Sequence, residues 1–518
     1  PPAAVNSGPI RVGTVWNPDS EEVYGLIQDG VDADNTTHGH TLHVYAGDYP
    51  ENVDVTKSLT IESVEGRGAA HVQAPEEATD HVFDVSVSST SIEGFRISGA
   101  TDAGKAGVCV HGTISTCGVR GCIIESNHYG VYVHDGATST MIGGASGADG
   151  NWIVGTHSHG VYITGATTTE SLVRGNRIGT QDGEAAQWNG GDGVRVEDAP
   201  QTVVQGNLIS GNQGHGVHLS GTGAGTGSIM GNVIGLDRTG LRPLAMGDGG
   251  EPNGNQGDGI RIDGSPDTTV DIDPFGARNI VSGNGGDGVH VIGTGASGTK
   301  ISGNYIGTDK DGGHQNWGVE SASPTGNGGC GVCLEDTANC LVGVSGTGSR
   351  NVISGNNVGV RISGGTATGN RLDGNSIGVD ETGQWALPNG IGVRLIDTGG
   401  NTIGGEASSA MNIISGNYGV GVYVAREATG GPDPQPNIII NNYIGPTPTP
   451  PEGAQDAVPF YRSYGADPEP RWNGGGVWIN GASTAIGGEQ EGTGNWIAFN
   501  GNTNDGASGI RIEGNATN

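Results

Sequence analysis

Six cysteines stand in two groups of three, Cys109, Cys117 and Cys122, then Cys330, Cys333 and Cys340. Spacing allows one local disulfide in each group, Cys109 with Cys117 and Cys333 with Cys340. Cys122 and Cys330 are then left over, either as buried inert thiols or as links between subunits. Cys330-Gly-Val-Cys333 has the spacing of a zinc half-site, but it lies across a strand phrase and no second C-x-x-C accompanies it, so no metal site is expected. Carboxylates raise a different chemistry. A polysaccharide lyase needs an Arg or Lys base beside carboxylates that hold calcium or neutralise a uronate, and a glycoside hydrolase needs two or three clustered carboxylates. Arg361 and Arg394 with Asp373 and Asp380 come nearest the first pattern, and Asp258, Asp263, Asp271 and Asp273 nearest the second. Random scatter of 55 acidic residues would give both sets. The histidines show no ligand cluster, the D-P-H-E signature of alginate epimerases is absent, and the G-G-D-G turns at Asp192 and Asp287 lack the short period of calcium-binding rolls. No cofactor is expected, and calcium has no supporting motif.

The elements that would position these residues come from internal repetition. N-x-I-x-G-N recurs as Asn207-Leu-Ile-Ser-Gly-Asn212 and again at Asn279, Asn351 and Asn412, with looser copies at Asn151 and Asn495. It alternates with G-N-x-I-G-[TLV]-D, from Asn232 to Asp237, Asn304 to Asp309 and Asn375 to Asp380, with degenerate copies at Asn176 and Asn442. A short strand phrase G-V-x-[VIL] follows each, as in Gly193-Val194-Arg195-Val196. Apolar residues at alternate positions point into a narrow core, and Gly and Asn take the tight corners. Each phrase is therefore one coil of a stack with ~4.8 Å spacing. Asparagines in register, Asn207, Asn232, Asn279 and Asn304 among them, are expected to hydrogen-bond from coil to coil in a structural role.

The residue between the two core positions of each G-V-x-[VIL] strand must point outward. Coil by coil it reads Cys109, Tyr132, Tyr162, Arg195, His218, Arg261, His290, Cys333, Arg361, Arg394, Tyr423, Trp478 and Arg511, with no acid among them. Such a stripe either binds sugars on rings and carboxylates on arginines, or packs against the protein's own acidic loops; the second is favoured. Insertions recur at every second coil, at 182–190, 237–256, 309–327, 380–388 and 446–473. Most hold a tryptophan, Trp188, Trp317, Trp385 or Trp472, which either serves a functional loop or plugs it onto the coil below. The two cysteine groups lie about seven coils apart, roughly 34 Å, and cannot bridge within one rod.

The stretch His40-Thr-Leu-His-Val-Tyr-Ala-Gly-Asp-Tyr-Pro-Glu-Asn-Val53, followed by Lys57-Ser-Leu-Thr-Ile61, resembles the opening coils of the right-handed parallel β-helix superfamily that holds pectate lyase-like and NosD-like proteins. The later I-G-G, I-S-G-N and I-G-T-D phrases are similar to repeats of surface and adhesin-like β-helix proteins. The resemblance implies an all-β, single-stranded right-handed solenoid along nearly the whole chain, and it implies little about activity, since that superfamily holds lyases, hydrolases, epimerases, tailspikes and inert structural proteins. Opening coils are expected over 35–100 and repeat coils over 101–518. Asp19 to Asp34 spaces Val23, Leu26, Ile27 and Val31 as on a helix that caps the first coil.

Composition agrees with a thin core spread along a repeat: 102 glycines, 33% apolar and 5% aromatic residues in 518. A net charge of −32 opposes nucleic-acid and anionic-membrane partners, and the scarcity of lysine, with only four, resembles proteins of salt-loving archaea. No apolar run is long enough to cross a bilayer. The start reads as already processed and the end as an uncapped coil, so either the polypeptide is trimmed there or that end stacks on another molecule. Asn35 and Asn515 lie in glycosylation tripeptides. The expectation is an extracellular or cell-surface rod, structural or adhesive, that assembles with itself into a layer, sheath or filament. The alternative is a carbohydrate-active enzyme or tailspike-like glycan binder on the outward stripe, and a NosD-like metal-handling factor is a third reading.

Overall fold

The computed structural model describes residues 13–76, 79–244, 254–313, 326–343, 350–427, 435–445, 473–488, 494–497 and 509–513. Among these residues short strands build three sheets of 17, 15 and 15 strands, parallel except at two N-terminal strands of the first, and the chain visits the three in turn. One coil shows the plan. Val203–Gln205 lies in the first sheet, Leu208–Ile209 in the second and Val217–Ser220 in the third, before the chain re-enters the first sheet at Ser228–Met230. Each strand pairs in parallel with its counterpart one coil away, so Val204 sits on Ile229, Ile209 on Ile234 and Leu219 on Ile262. Fifteen such levels span roughly 67 Å.

The core is these columns of β-branched and leucyl side chains. Val173, Val204, Ile229, Val270 and Ile301 stack in the first sheet and Ile178, Ile209, Ile234, Val281 and Ile306 in the second, all inaccessible to solvent or nearly so. Each contributes about 1.5–3 kcal/mol by leaving water, and a one-residue slip would turn the whole column outward.

Polar order lies beside the apolar columns. At the corner between the first and second sheets, Asn151, Asn176, Asn207, Asn232, Asn279 and Asn304 each donate through Nδ2 to Oδ1 of the next asparagine in the row, at 2.9–3.1 Å, and the row runs on through Asn351, Asn375, Asn412 and Asn442 to Asn495. The expected ladder is present. A second row occupies the arc between the second and third sheets: Asn189, Asn212, Asn255, Asn284, Asn327, Asn356, Asn389, Asn417 and Asn473. Each amide also donates to a buried carbonyl, as Asn304 does to Ser302 and to Val270, whose oxygen also accepts the Ser302 N–H. Glycine is required where the chain enters the third sheet. A Cβ on Gly216 would lie 2.6 Å from the Gly259 carbonyl and 2.6 Å from Ile234 Cγ2.

The N-terminal cap differs from the expectation of one helix over 19–34. Only Ile27–Asp32 is helical; Val15–Asn17 and Glu22–Tyr24 form an antiparallel pair, and the former also runs antiparallel to Thr41–Val44. Asn17 Oδ1 accepts the N–H groups of Asp19 and Ser20, and Glu21 takes φ +61°, so a turn forms where the helix was expected to begin. Ile27 and Val31 are buried, whereas Val23 and Leu26 are 48% and 40% exposed. The Glu51 carboxylate receives the Ile27 and Gln28 N–H groups, both at 2.9 Å, and holds the helix N-terminus over the first coil.

Two substitutions test this account. Asn304→Ala removes the side-chain bonds to Asn279, Val270, Ser302 and Asn351 and breaks one ladder, and should lower stability by about 2–3 kcal/mol in denaturant titration. Gly216→Ala should cost about 1–3 kcal/mol by overpacking, with the loss read in the same way.

Candidate functional site on the third sheet

Side chains with chemical potential gather on the outer face of the third sheet, where two columns run side by side. The outward stripe is in strict register: Tyr162 lies on Arg195, Arg195 on His218, His218 on Arg261, Arg261 on His290, His290 on Cys333 and Cys333 on Arg361. It continues through Arg394, Tyr423 and Trp478 to Arg511. In the other direction it runs past Cys109 into Asp84 and Asp54, so the absence of acids holds only from Cys109 onward.

The second column is one that sequence reasoning did not single out. Over the middle coils it is the residue immediately before the G-V or G-I of the strand phrase: His159, Asp192, His215, Asp258, Asp287 and Cys330. Each of the first five side chains accepts the backbone N–H of the next member. Asp192 N–H donates to His159 Nδ1 at 3.0 Å, His215 N–H to Asp192 Oδ1 at 2.7 Å and Asp258 N–H to His215 Nδ1 at 2.9 Å. Asp287 N–H then donates to Asp258 Oδ1 at 2.8 Å and Cys330 N–H to Asp287 Oδ1 at 2.5 Å. These N–H groups sit at the mouth of the sheet, where side chains take over from the backbone ladder. The recurring [DH]-G-[VI] before the strand phrase was the available signal.

The two columns neutralise each other. Asp192 Oδ2 lies 3.1 Å from His218 Nδ1 and 3.8 Å from Arg195 Nη1, and Asp258 Oδ2 lies 3.4 Å from Arg261 Nη1 and 3.5 Å from His290 Nδ1. Glu197 accepts from the Tyr162 hydroxyl at 2.5 Å, and Glu335 pairs with Arg361 at 3.2 Å. Burial alone would raise the Asp192 carboxyl, but the His218 and His215 N–H groups outweigh it and hold it at about 2. Asp258 is likewise held low against its burial by hydrogen bonding at His290 and the Asp287 N–H. Burial depresses His159 and His215, both of which use Nδ1 as an acceptor, whereas the aspartates around His290 outweigh its burial and raise it.

Histidines scattered along the chain thus do converge, contrary to the reading that they form no cluster. Asp192, His215 and His218 place one ligand atom each within 4.8 Å of one another, and so do Asp287, His290 and Cys333. Aromatic side chains gather on the same face nearer the N-terminus. Tyr132 and Tyr162 stack at 5.2 Å between ring centroids, Tyr129 packs tilted against both, and His134 stacks on Tyr132.

The lyase and hydrolase constellations do not assemble. Arg361 turns to Glu335, Arg394 to Glu427, and Asp373 to Arg371 at 2.5 Å, while Asp380 caps its own loop at the Gln384 and Trp385 N–H groups. Asp258 and Asp263 both approach Arg261, but Asp273 turns to the N–H groups of Phe275 and Ala277, and Asp271 to that of Ile272.

The expected disulfides are absent: all six cysteines are free and buried. Cys117, Cys122 and Cys340 belong to the apolar core, whereas Cys109 and Cys333 stand on the outward stripe, so each expected pair is divided by the strand wall. Of the glycosylation candidates, Asn35 is half-buried and accepts from the Tyr24 hydroxyl at 2.9 Å; Asn515 lies outside the described residues.

The insertions stack on one another. Arg238 N–H donates to the Gly183 carbonyl at 2.8 Å, Lys310 N–H to Gly240 at 2.8 Å and Glu381 N–H to Gly312 at 3.0 Å, and Arg238 pairs with Glu184. Trp188 and Trp385 are half-buried in this wall; Trp317, Trp472 and most of the 446–473 insertion lie outside the described residues.

Residues 34–236 match a family described as NosD, periplasmic copper-binding protein. This chain is a right-handed parallel β-helix with a NosD-like segment. The β-helix is 31% identical over 121 residues to a cell surface glycoprotein of Methanothermus fervidus, a match that covers 23% of this chain and 18% of the relative. Among solved structures it is similar to the Dettilon tailspike protein, with TM-score 0.41 and 18% identity over 73% of this chain and 60% of that one. It is also similar to the A-module of the mannuronan C-5 epimerase AlgE4 of Azotobacter vinelandii, with TM-score 0.38 and 15% identity over 80% and 89% of the two chains. Among the described residues of 34–236 the donors do not match copper. Asp192, His215 and His218 offer two imidazoles and a carboxylate, but Arg195 Nη1 contacts the His218 ring, 3.0 Å from Nε2, and places a fixed positive charge at the fourth corner.

Proton linkage can be measured on this β-helix. His81 is 8% exposed and accepts the Ala106 N–H at Nδ1, 3.0 Å away; burial first, then Lys105, pushes it down to about 4. Its folded value lies below the unfolded one near 6.5, so its contribution is complete above about pH 6.5 and is lost as pH falls toward 4, roughly 2 kcal/mol by pH 5. His81→Gln, which keeps an acceptor, should flatten the fall in melting temperature between about pH 7 and pH 5; an unchanged slope would exclude His81 as its source.

Proposed function

We propose that this β-helix is an extracellular or cell-surface rod with a structural or adhesive role that assembles with further copies of itself. One observation carries the reading: the charged face that could have bound a ligand is answered almost entirely by carboxylates of the same chain. Asp192 alone meets His218, Arg195 and, at 3.7 Å, His159. Such a face stiffens the stack and leaves little charge for a soluble substrate. Two asparagine ladders and a wall of stacked insertions add to a rod whose length is its main attribute. The similarity of part of the chain to a cell surface glycoprotein supports the location.

Glycan binding is the second reading, and the aromatic cluster of Tyr129, Tyr132, Tyr162 and His134 favours it, because half-exposed rings on one face suit sugar stacking. Imaging of undenatured protein over a range of concentrations separates the two. Ordered filaments or sheets, unchanged by reductant because the thiols are buried and unpaired, are expected. Monomers at every concentration, together with glycan-array binding lost in Tyr132→Ala, would replace the first reading with the second.

A further inference from the structure

The two columns of the third sheet meet in pairs, one side chain before the G-V and one three residues later, and consecutive coils stack those pairs into squares. Most squares contain an arginine: Asp192 and Arg195 lie below His215 and His218, and Asp258 and Arg261 lie below Asp287 and His290. Among the described residues, all four corners are metal donors where Asp287-Gly-Val-His290 lies below Cys330-Gly-Val-Cys333. Its members come from neighbouring coils in register, His290 on Cys333, with Asp287 tied to Cys330 through the Cys330 N–H.

We propose that Asp287, His290, Cys330 and Cys333 form a binding site for a divalent cation of borderline softness, of the Zn2+ class. Ligand atoms of Asp287, His290 and Cys333 already lie within 4.8 Å of one another, and Cys330, the fourth corner, is tied to Asp287 through its own N–H. Asp287 spends Oδ1 on the Cys330 N–H, which leaves Oδ2 free, 3.5 Å from His290 Nδ1. That separation is close to the roughly 3.3–3.4 Å between two tetrahedral ligands that each stand ~2.0–2.1 Å from zinc. The donor set, two sulfurs, one imidazole and one carboxylate, matches the preference of zinc and disfavours magnesium and calcium.

The surroundings suit a bound cation. Both cysteines are buried, and the His290 Nε2 atom is buried without a hydrogen bond, although Glu335 Oε2 lies 3.4 Å away. Two thiolates and a carboxylate around a divalent ion leave one excess negative charge, and Arg361, in register above Cys333, stands next to it. Arg261 must release the 3.3 Å contact of its Nη1 with His290 Nδ1. Cysteine ligates a metal as thiolate, so an entering ion displaces the thiol protons to solvent, and neither sulfur is oxidised or reduced. The site lies outside residues 34–236, so it is independent of the NosD-like segment.

The test uses the full chain, reduced and then freed of reductant, titrated with Zn2+ and in parallel with Co2+. One equivalent of metal should bind with release of about two protons, and Co2+ should show a thiolate charge-transfer band and the intense visible absorption of a tetrahedral site. Cys333→Ser and His290→Gln should each weaken binding by at least about tenfold. Cys340→Ser, a core thiol outside the square, should leave it unchanged, and circular dichroism establishes that each variant is folded. Absence of stoichiometric binding, binding unaffected in Cys333→Ser, or a native Cys330–Cys333 disulfide that persists in folded protein would overturn the proposal.

Discussion

Everything in this molecule depends on exact coil-to-coil register of groups that are not part of any sheet. Strand pairing alone would tolerate displacement of a short two-residue strand, because a parallel ladder offers the same hydrogen bonds at each step. The asparagine rows do not tolerate it. Each amide bridges an Oδ1 in an adjacent coil and a carbonyl at the corner, and a slip would leave several buried polar groups unpaired at about 1–3 kcal/mol each. Asn207 and Asn212 of a single phrase enter different rows, so every N-x-I-x-G-N is pinned at both ends.

This double pinning also explains how insertions are accommodated. Coils with a lateral loop leave the stack after the second sheet, and the loop returns at an asparagine of the second row: Asn189, Asn255, Asn327, Asn389 or Asn473. Loop length can vary between departure and return because only the returning asparagine is constrained. Contacts such as Lys310 on Gly240 and Glu381 on Gly312 then join successive loops, two coils apart, into a lateral wall.

The third sheet carries the same logic into charged chemistry. Stacking at ~4.8 Å forces like positions together, so a column of identical charges would repel itself. The chain interleaves instead. Histidine and aspartate cap one another's backbone N–H groups in one column, while Arg195, His218, Arg261 and His290 lean across to those carboxylates from the other. The net acidity of the protein is thereby locally compensated, and among the described residues the square of Asp287, His290, Cys330 and Cys333 stands out because its corners hold donors with no arginine among them.

How much of this was legible in the residues follows from which properties are periodic. Repeating Asn, Gly and alternating Val or Ile specify coils, core columns, the outward stripe and the first asparagine row, because these depend only on distance along one coil. The helix expected at residues 19–34 is short because Asn17 and Glu21 turn the chain so that Glu22–Tyr24 pairs with Val15–Asn17, which also pairs with Thr41–Val44, a partner no local pattern specifies. Disulfides were drawn from spacing, but Cys109 and Cys117 lie on opposite sides of the strand wall, a matter of side-chain direction. The second asparagine row, the caps of the third sheet and the meeting of Asp287 and His290 with Cys330 and Cys333 were decided only by tertiary structure. Insertions of unequal length separate those residues along the chain, and stacking brings them back to a few ångströms.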